Sequence, residues 1–264
     1  MIDLHAHVLP GIDDGPATIT EAVEVVAAAA EEGVTVLAAT PHVRPDFPAV
    51  RPSELAARTA ELSEAAAASG PNPAAVSTAP LRLVSAGEVD LVWAQDASDD
   101  DLAAASYGAR GHDLLIETPY GELPGGFEDL IFRITARGFR ILLAHPERSP
   151  SLQSAPQRIR ALVDQGVLLQ ITAAALASPN RHSRSRRVAR ELVREGVAHV
   201  IASDRHGLRF TRASLREGVA AATAEAGARA MWMATEAPAA ILAGDPLPPP
   251  PTARPRWRIP TRRG

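Results

Sequence analysis

The sequence predicts an α/β fold in which seven parallel strands and their helices close into a TIM-like (β/α)7 barrel. Short apolar runs typical of strands alternate with helical patterns along most of the chain, and this alternation indicates a parallel sheet. The chain has 264 residues, and a barrel domain uses roughly 250. An open doubly wound sheet is the alternative, but no glycine-rich dinucleotide fingerprint supports it.

Each predicted strand is a short apolar run, and the seven runs are residues 1–4, 34–40, 81–86, 114–117, 140–144, 167–172 and 199–203. After the first strand, Thr18 and Glu21 have the spacing of a capping box, and the helix that follows is expected to end at Gly33. Ser53 can cap the second helix. The later predicted helices end near residue 138, span about 155–165 and 183–195, or form two alanine-rich stretches after the last strand.

The C-terminal segment has a different composition from the rest of the chain. Residues 245–251 are rich in proline, and residues 253–264 carry five arginines and no acid. Such composition is typical of disordered segments, which cannot bury enough apolar surface to fold. We therefore predict one domain over residues 1–244 and a disordered tail over residues 245–264.

Composition excludes several kinds of chemistry. The chain has no cysteine, which excludes thiolate metal sites and a cysteinyl-phosphate intermediate. All 27 basic residues are arginine, so neither a phosphate-loop lysine nor a Schiff base is possible. The net charge of −4 gives no indication of a nucleic-acid partner. We see no signal peptide and no stretch suited to membrane insertion, and we expect a cytoplasmic protein.

Histidines and acids follow the C-terminal ends of five predicted strands. His5 and His7 are two residues apart at the first strand, where alternate residues face the same side. The strands of a β/α barrel meet at their C-terminal ends, where active sites form. The other side chains expected to converge there are His42, Glu88, His145, Asp204 and His206. The three remaining histidines, His112, His182 and His199, are expected to be structural or exposed.

This mixture of imidazoles and carboxylates indicates a cluster of divalent metal ions. Mixed His and carboxylate ligands suit Mn²⁺, Fe²⁺ or Zn²⁺, and the number of candidates implies two or three ions. Their excess positive charge would attract a phosphate monoester, and Arg148 and Arg205 could bind its oxygens. Bound metals lower the pKa of water, so no side-chain nucleophile is required. The basic segment at Arg181, Arg184, Arg186 and Arg187 is predicted to be a solvated helix face, with binding of an anionic substrate as the alternative.

Five motifs resemble those of the bacterial CpsB/CapC tyrosine-protein phosphatases, which belong to the polymerase-and-histidinol-phosphatase (PHP) superfamily. The opening residues 1–16, MIDLHAHVLPGIDDGP, carry most of the resemblance. The later motifs are Ala-Thr-Pro-His at 39–42, Ala-His-Pro-Glu-Arg at 144–148, Leu-Gln-Ile-Thr at 169–172 and Ile-Ala-Ser-Asp-Arg-His at 201–206. They occur in the order that the family has, over roughly residues 1–240.

The resemblance implies a distorted seven-stranded barrel of the PHP type with three metals, often manganese. It implies eight metal ligands: His5, His7, Asp14, His42, Glu88, His145, Asp204 and His206. It also implies that the substrate is the tyrosine-rich tail of a membrane-associated tyrosine kinase that controls capsule or exopolysaccharide synthesis. On this basis we assign catalytic roles to Asp14, His42, Arg148 and His206, and substrate binding to Arg148, Arg205 and Arg209.

The sequence departs from the family at Val43, at Ala174-Ala175 and at Arg205, and Arg209 and Arg212 replace a later phosphate-binding arginine that has no aligned match. None of these departures removes a predicted metal ligand, so they bear on the identity of the substrate more than on the metal-dependent reaction. Two alternatives to a phosphotyrosine phosphatase therefore stay open. One is a phosphomonoesterase acting on a small metabolite such as histidinol phosphate, and the other is a non-catalytic metal-binding regulator. The sequence does not indicate an oligomeric state.

Overall fold

The protein has a mixed α/β fold with two parallel sheets. The computed structural model describes residues 1–70, 80–208 and 213–251. In these ranges the strands are β1 (Ile2–Ala6), β2 (Val36–Ala39), β3 (His42–Val43), β4 (Arg82–Ser85), β5 (Glu88–Asp90), β6 (Asp113–Glu117), β7 (Arg140–Ala144), β8 (Leu168–Thr172) and β9 (Val200–Ala202). One sheet has the order β1-β2-β4, and the other has the order β3-β5-β6-β7-β8-β9.

Two of the predicted strands are each divided into two short strands. The predicted strand at 34–40 continues past Pro41 as β3, and the one at 81–86 continues past Gly87 as β5. Pro41 has no N–H to donate to a ladder, so the pairing is interrupted there. The two sheets are consequently linked by chain segments that pass from one to the other.

The first and last strands are also adjacent. The backbone N–H of His7 donates to the carbonyl of Arg205 at 2.8 Å, and that of Asp204 donates to the carbonyl of His5 at 2.9 Å. Ala6 and Arg205 form an isolated parallel bridge. These bonds bring the C-terminal end of β1 beside the residues that follow β9.

Helices connect most of the strands: α1 (Ile19–Glu31), α2 (Leu55–Ala68), α3 (Trp93–Asp96), α4 (Asp99–Ala105), α5 (Phe127–Ala136), α6 (Pro150–Ser154), α7 (Pro156–Asp164), α8 (Ala173–Ala177), α9 (Arg184–Glu195), α10 (Leu215–Ala226), α11 (Arg229–Trp232) and α12 (Glu236–Ala243). Thr18 caps α1 as predicted, since its side chain accepts from the N–H of Glu21. The prediction for Ser53 is wrong: Pro52–Glu54 forms a 3-10 turn and α2 begins at Leu55 without a side-chain cap. Pro52 presets the backbone for that turn.

Alternation along the strands separates two apolar clusters. In β7, Ile141 and Leu143 pack among the helices, whereas Leu142 and Ala144 belong to a second cluster with residues from the other strands. This second cluster, the inner cluster, includes Leu4, Ala38, Leu115, Leu142, Leu168 and Val200. Side chains two residues apart on a strand share a face, so the inner cluster lies on the opposite face of these strands from the side chains that pack among the helices.

The C-terminal residues that the structure describes pack against the inner cluster. Leu247 contacts both apolar clusters, and the Arg140 guanidinium donates to the carbonyl of Asp245 at 2.7 Å. The first residues of the segment predicted as a tail therefore lie against the domain. Residues 252–264 lie outside the described residues, so the predicted tail is not tested. None of the helices in the described part of the chain has the length and apolar character needed to cross a membrane.

The packing of α10 on α8 makes a stability prediction. A Cβ atom at Gly218 would lie 2.5 Å from the Cβ of Ala173, which is too close for two carbons. Gly218→Ala should therefore destabilise the fold by about 1–3 kcal/mol through overpacking, although alanine is intrinsically the better helix former. Thermal unfolding would measure the effect. The matched control is Gly125→Ala, where a Cβ meets nothing within 4 Å; equal melting temperatures for the two variants would contradict the prediction.

Candidate metal centre

All eight side chains predicted as metal ligands lie together, at strand ends and in the loops beside them. The register of the sheet explains part of this convergence, because His42 on β3 is paired directly with Glu88 on β5. The ligand atoms form four overlapping groups, and within each group they lie within 4.8 Å of one another. The groups are His7-Asp14-His42-His206, His5-Glu88-His145, His5-His7-Asp204 and His42-Glu88-Glu117.

The deepest part of the site places four potential ligand atoms close together. The Nε2 atoms of His5 and His7 lie 3.2 Å apart. Glu88 Oε2 lies 3.4 Å from both of them, and it is buried with no hydrogen-bond partner. Asp204 Oδ1 lies 3.3 Å from the Nε2 of His5. Several buried acceptor atoms facing one another fit a divalent cation, since imidazole and carboxylate are common ligands of transition metals.

Hydrogen bonds on the far side of three of the imidazoles orient their free nitrogens toward the centre. His5 Nδ1 lies 3.0 Å from the Gln170 side-chain oxygen, and His7 Nδ1 lies 2.7 Å from Asp13 Oδ2. His206 Nδ1 lies 3.0 Å from the carbonyl of Asp204. Each of these acceptors requires the hydrogen on Nδ1, so the lone pair is on Nε2. Second partners of this kind are typical of metal-binding histidines.

The buried histidines and carboxylates of the centre shift one another's pKa values. Burial alone would lower the pKa of His5, but the carboxylates of Glu88 and Asp204 outweigh it and raise that pKa to about 9. The pKa of His7 is raised well above its usual value for similar reasons, despite burial. Glu88 is fully buried, which would raise its pKa, yet the surrounding histidines hold the pKa well below its usual value. The carboxylates therefore require positive charge beside them, from protons or from metal ions.

The outer part of the site is open to solvent. The Asp14 carboxylate is 49% exposed and lies 3.5–3.7 Å from His206 and His42. Arg148 is 42% exposed, and its guanidinium pairs with Asp204. The His42 ring stacks on Phe47 at 5.4 Å between centroids. Burial and the neighbouring His7 lower the pKa of His206, which leaves its Nε2 available to a metal near neutral pH.

Two predicted ligands have an unusual backbone. His145 has φ 36° and Asp204 has φ 54°, both in the left-handed region that L-residues rarely adopt. Hydrogen bonds hold these conformations, since the N–H of His145 donates to Gln170 and that of Asp204 donates to His5. Such strain costs about 1–3 kcal/mol per residue and is concentrated at functional sites.

The structure adds three side chains that sequence analysis did not assign. Asp13 is buried, and besides His7 it accepts the backbone N–H groups of Gly15 and His42. Gln170 orients His5, and Glu117 on β6 joins His42 and Glu88 in one ligand group. The double acid Asp13-Asp14 and the position of Glu117 at a strand end were visible in the sequence. Nothing in the sequence distinguished the roles of the two aspartates.

The structure places the Arg205 side chain away from the metal centre. The prediction that Arg205 binds substrate is therefore wrong. Arg205 is 1% exposed, and its guanidinium donates to Glu32 at 2.7 Å and to Ser203. The bridge between Ala6 and Arg205 extends the strand pairing at this position, and the alternation of side chains directs this one away from its neighbours Asp204 and His206. Arg209 and Arg212 lie outside the described residues, so the role of Arg209 stays a prediction.

The three other histidines lie apart from the centre. His112 is close to Asp113, with 2.9 Å between His112 Nδ1 and the carboxylate, and His182 is exposed. His199 Nδ1 accepts the backbone N–H of Leu169 at 3.1 Å. Burial and the positive charge of Arg229 lower the pKa of His199 to about 4, so it is neutral and structural.

The parallel α/β fold and the clustered imidazoles and carboxylates define a protein with several candidate metal-binding groups in one site. A family model for CpsB/CapC proteins of capsular polysaccharide synthesis matches residues 1–243. The chain belongs to the CpsB/CapC family. It is 26% identical to the tyrosine-protein phosphatase YwqE of Bacillus subtilis over 242 residues, which is 89% of each chain. It is 24% identical to the tyrosine-protein phosphatase CpsB of Streptococcus pneumoniae over 217 residues, 79% of this chain and 84% of that one.

A solved structure shares the fold. It comes from crystal structures of YwqE from Bacillus subtilis and CpsB from Streptococcus pneumoniae, described as unique metal-dependent tyrosine phosphatases. It superposes with a TM-score of 0.79 at 25% sequence identity, and the match covers 96% of this chain and 100% of the other.

Removal of Asp13 should weaken metal binding without removing a predicted ligand. Asp13→Ala deletes the acceptor that orients His7 and the backbone of His42. Loss of such a partner typically lowers metal affinity about 10- to 100-fold. Competition with a chelator would measure the Mn²⁺ dissociation constant. Asp96→Ala, which removes an exposed carboxylate on α3, is the control, and an equal affinity in both variants would show that Asp13 does not orient the site.

A rise in pH should destabilise the metal-free protein. The folded-state pKa of His5 is raised from 6.5 to about 9, so its contribution to stability is complete below pH 6.5 and is lost as the pH rises through 9. We expect the melting temperature of chelator-treated protein to fall over this range by several degrees. Saturating Mn²⁺ should remove this fall because the metal replaces the protons. The same slope with and without Mn²⁺ would be inconsistent with this account.

Proposed function

We propose that this protein is a metal-dependent protein-tyrosine phosphatase that hydrolyses phosphotyrosine. The observation that carries the proposal is the metal centre itself, in which buried imidazoles and carboxylates lie below a half-exposed arginine. The names of the relatives YwqE and CpsB support it. Because the chain has no cysteine, phosphate transfer to a cysteine thiolate is not available to it.

The eight predicted ligands would hold two or three divalent ions, and we propose Mn²⁺ as the natural metal, with Fe²⁺ or Zn²⁺ as alternatives of the same ligand preference. Bound there, the ions would supply Lewis acidity and lower the pKa of water to near neutrality. Glu117 extends the ligand set beside His42 and Glu88. Asp13 and Gln170 keep the Nδ1 hydrogens of His7 and His5 in place, so the Nε2 atoms stay oriented before and after turnover.

Arg148 is proposed to bind the phosphate of the substrate. Its guanidinium is partly exposed at the mouth of the site and pairs with Asp204. A guanidinium can bind two phosphate oxygens at once and stabilise the charge of the transferring group. Pairing with Asp204 holds the arginine near the centre when no anion is bound. His42 and His206 lie within 3.7 Å of Asp14 in the outer part of the site, so these side chains would also lie near a bound phosphate.

We also propose that the two sheets act as one distorted barrel of seven strand positions. The continuation of β2 into β3 and of β4 into β5 supports this, as do the bonds that place β1 beside the residues after β9. The inner cluster is what the interior of such a barrel would contain. In this arrangement the metal centre would lie at the C-terminal mouth.

The proposed substrate is a phosphotyrosine protein, specifically a membrane-associated tyrosine kinase that regulates capsule or exopolysaccharide synthesis. The description of the family as proteins of capsular polysaccharide synthesis supports this role. A kinase tail that extends from the inner face of a membrane would be reached from the cytoplasm, where we propose that the protein acts. An open mouth suits a protein substrate, and the exposure of Asp14 and Arg148 is consistent with that requirement.

Phosphate release tests the proposal directly. With Mn²⁺ we expect release from a phosphotyrosine peptide in preference to a phosphoserine peptide and to histidinol phosphate, and loss of release after chelation. His42→Ala should abolish turnover, and Arg148→Gln should lower kcat/KM about 100-fold because a charge-stabilising donor is lost. Arg82→Gln, at an exposed position of β4, is the control. Release from histidinol phosphate alone would overturn the protein substrate, and release from none of the three with metal bound would overturn the activity.

A further inference from the structure

A basic surface lies at the turn that begins α9. We call it the basic turn and define it by Arg181, Arg184, Arg186 and Arg187. Arg181, Arg184 and Arg187 are exposed, and Arg186 is partly buried with its Nε atom lacking a hydrogen-bond partner in the described structure. The chain as a whole is acidic, with net charge −4. Four cations within seven residues are therefore a local concentration of charge.

The arginines of the basic turn differ from those around them in having no acidic partner. Further along the same helix, Arg190 and Arg194 both pair with Glu225. On α7, Arg158 pairs with Glu128, and Arg160 pairs with Glu191 and Glu195. Within the described ranges no carboxylate lies within ion-pair distance of the four arginines of the basic turn. Their charge is available to another molecule.

The position of this charge opposes helix stability. Arg184, Arg186 and Arg187 lie in the first turn of α9, which contains no acid. The N-terminus of a helix carries partial positive charge, and cations there are unfavourable by a few tenths of a kcal/mol or more each. Ser183 caps the helix by accepting the N–H of Arg186. A helix start that is well capped yet unfavourably charged indicates a function outside the folding of the helix.

The basic turn lies beside the residues that present Arg148. The side-chain amide of Gln153 donates both to the carbonyl of Glu147, at 2.8 Å, and to the Ser185 hydroxyl, at 3.0 Å. One side chain thus connects the turn before Arg148 to the middle of the basic turn. Both segments follow the C-terminal ends of their strands, β7 and β8, so both lie on the side of the fold that holds the metal centre.

We propose that the basic turn binds acidic side chains that flank the phosphotyrosine of a peptide substrate. The inference rests on the proposed phosphatase function and extends it to the sequence around the target residue. A peptide whose phosphate reaches Arg148 must leave the mouth across neighbouring segments, and the basic turn is one of them. Charge complementarity then favours glutamate or aspartate at those positions, and it acts mainly on encounter and binding.

Two matched phosphotyrosine peptides test the proposal, one flanked by glutamates and the other by glutamines. With the full-length Mn²⁺-loaded protein at low ionic strength, we expect a KM about three- to tenfold lower for the glutamate peptide, because exposed ion pairs contribute modestly. Added salt should reduce the difference. The double variant Arg184→Gln/Arg187→Gln should abolish it while kcat/KM for free phosphotyrosine stays unchanged. The control Arg82→Gln/Arg133→Gln removes the same charge from exposed positions elsewhere and should keep the preference.

A binding measurement separates this proposal from the proposed function. Fluorescence anisotropy with unphosphorylated versions of the same peptides should give tighter binding of the glutamate peptide to the parent protein and no preference in the Arg184/Arg187 variant. Equal binding of the two peptides to the parent protein would overturn the docking role even if free phosphotyrosine is hydrolysed. Loss of the preference in the Arg184/Arg187 variant would support it even if no phosphotyrosine is hydrolysed. Capture by anionic phospholipid vesicles without any preference between the peptides would overturn it in favour of a lipid surface.

Discussion

One buried carboxylate organises the metal centre. Glu88 is fully buried, and its two oxygens lie within 3.4 Å of four imidazoles, those of His5, His7, His42 and His145. An isolated buried carboxylate would cost several kcal/mol, so the fold can keep Glu88 there only with positive charge around it. A glycine before Glu88 lets the chain pass close to Val43, because a Cβ at position 87 would lie 2.5 Å from the Val43 side chain. Protons satisfy this requirement in the metal-free protein, and divalent ions bound to the same atoms would also satisfy it.

The same requirement explains the supporting contacts. Asp13 and Gln170 accept from the outer nitrogens of His7 and His5, which keeps the inner lone pairs directed at the centre. The strained backbones of His145 and Asp204 are held by hydrogen bonds to neighbouring strands. Arg205 stabilises the segment between the predicted ligands Asp204 and His206 through its ion pair with the partly buried Glu32. The site thus depends on pairing between elements that are far apart in the chain.

Sequence patterns predicted the strand positions well, because apolar runs of four to seven residues are a local property. Sequence patterns were less informative where the same residues are compatible with two local structures. Ser53 suited a helix cap, yet Pro52 starts a 3-10 turn before it. The composition of residues 245–251 also gave no sign that Leu247 packs against the inner cluster, although the rest of the predicted tail lies outside the described residues. The short helices α3, α4, α6 and α8 were not predicted, since segments of that length carry little periodicity.

The sequence alone determined the types of the candidate metal-binding side chains and their order along the chain, and the absence of cysteine and lysine limited the chemistry. Those properties need no geometry, since they follow from residue identity and from the period of two along a strand. Only the tertiary structure decided which residue faces which. It assigned Asp13 to His7, turned Arg205 away from the centre, and added Glu117 to the ligand groups. The physical reason is that these roles depend on distances between strands, which no local pattern encodes.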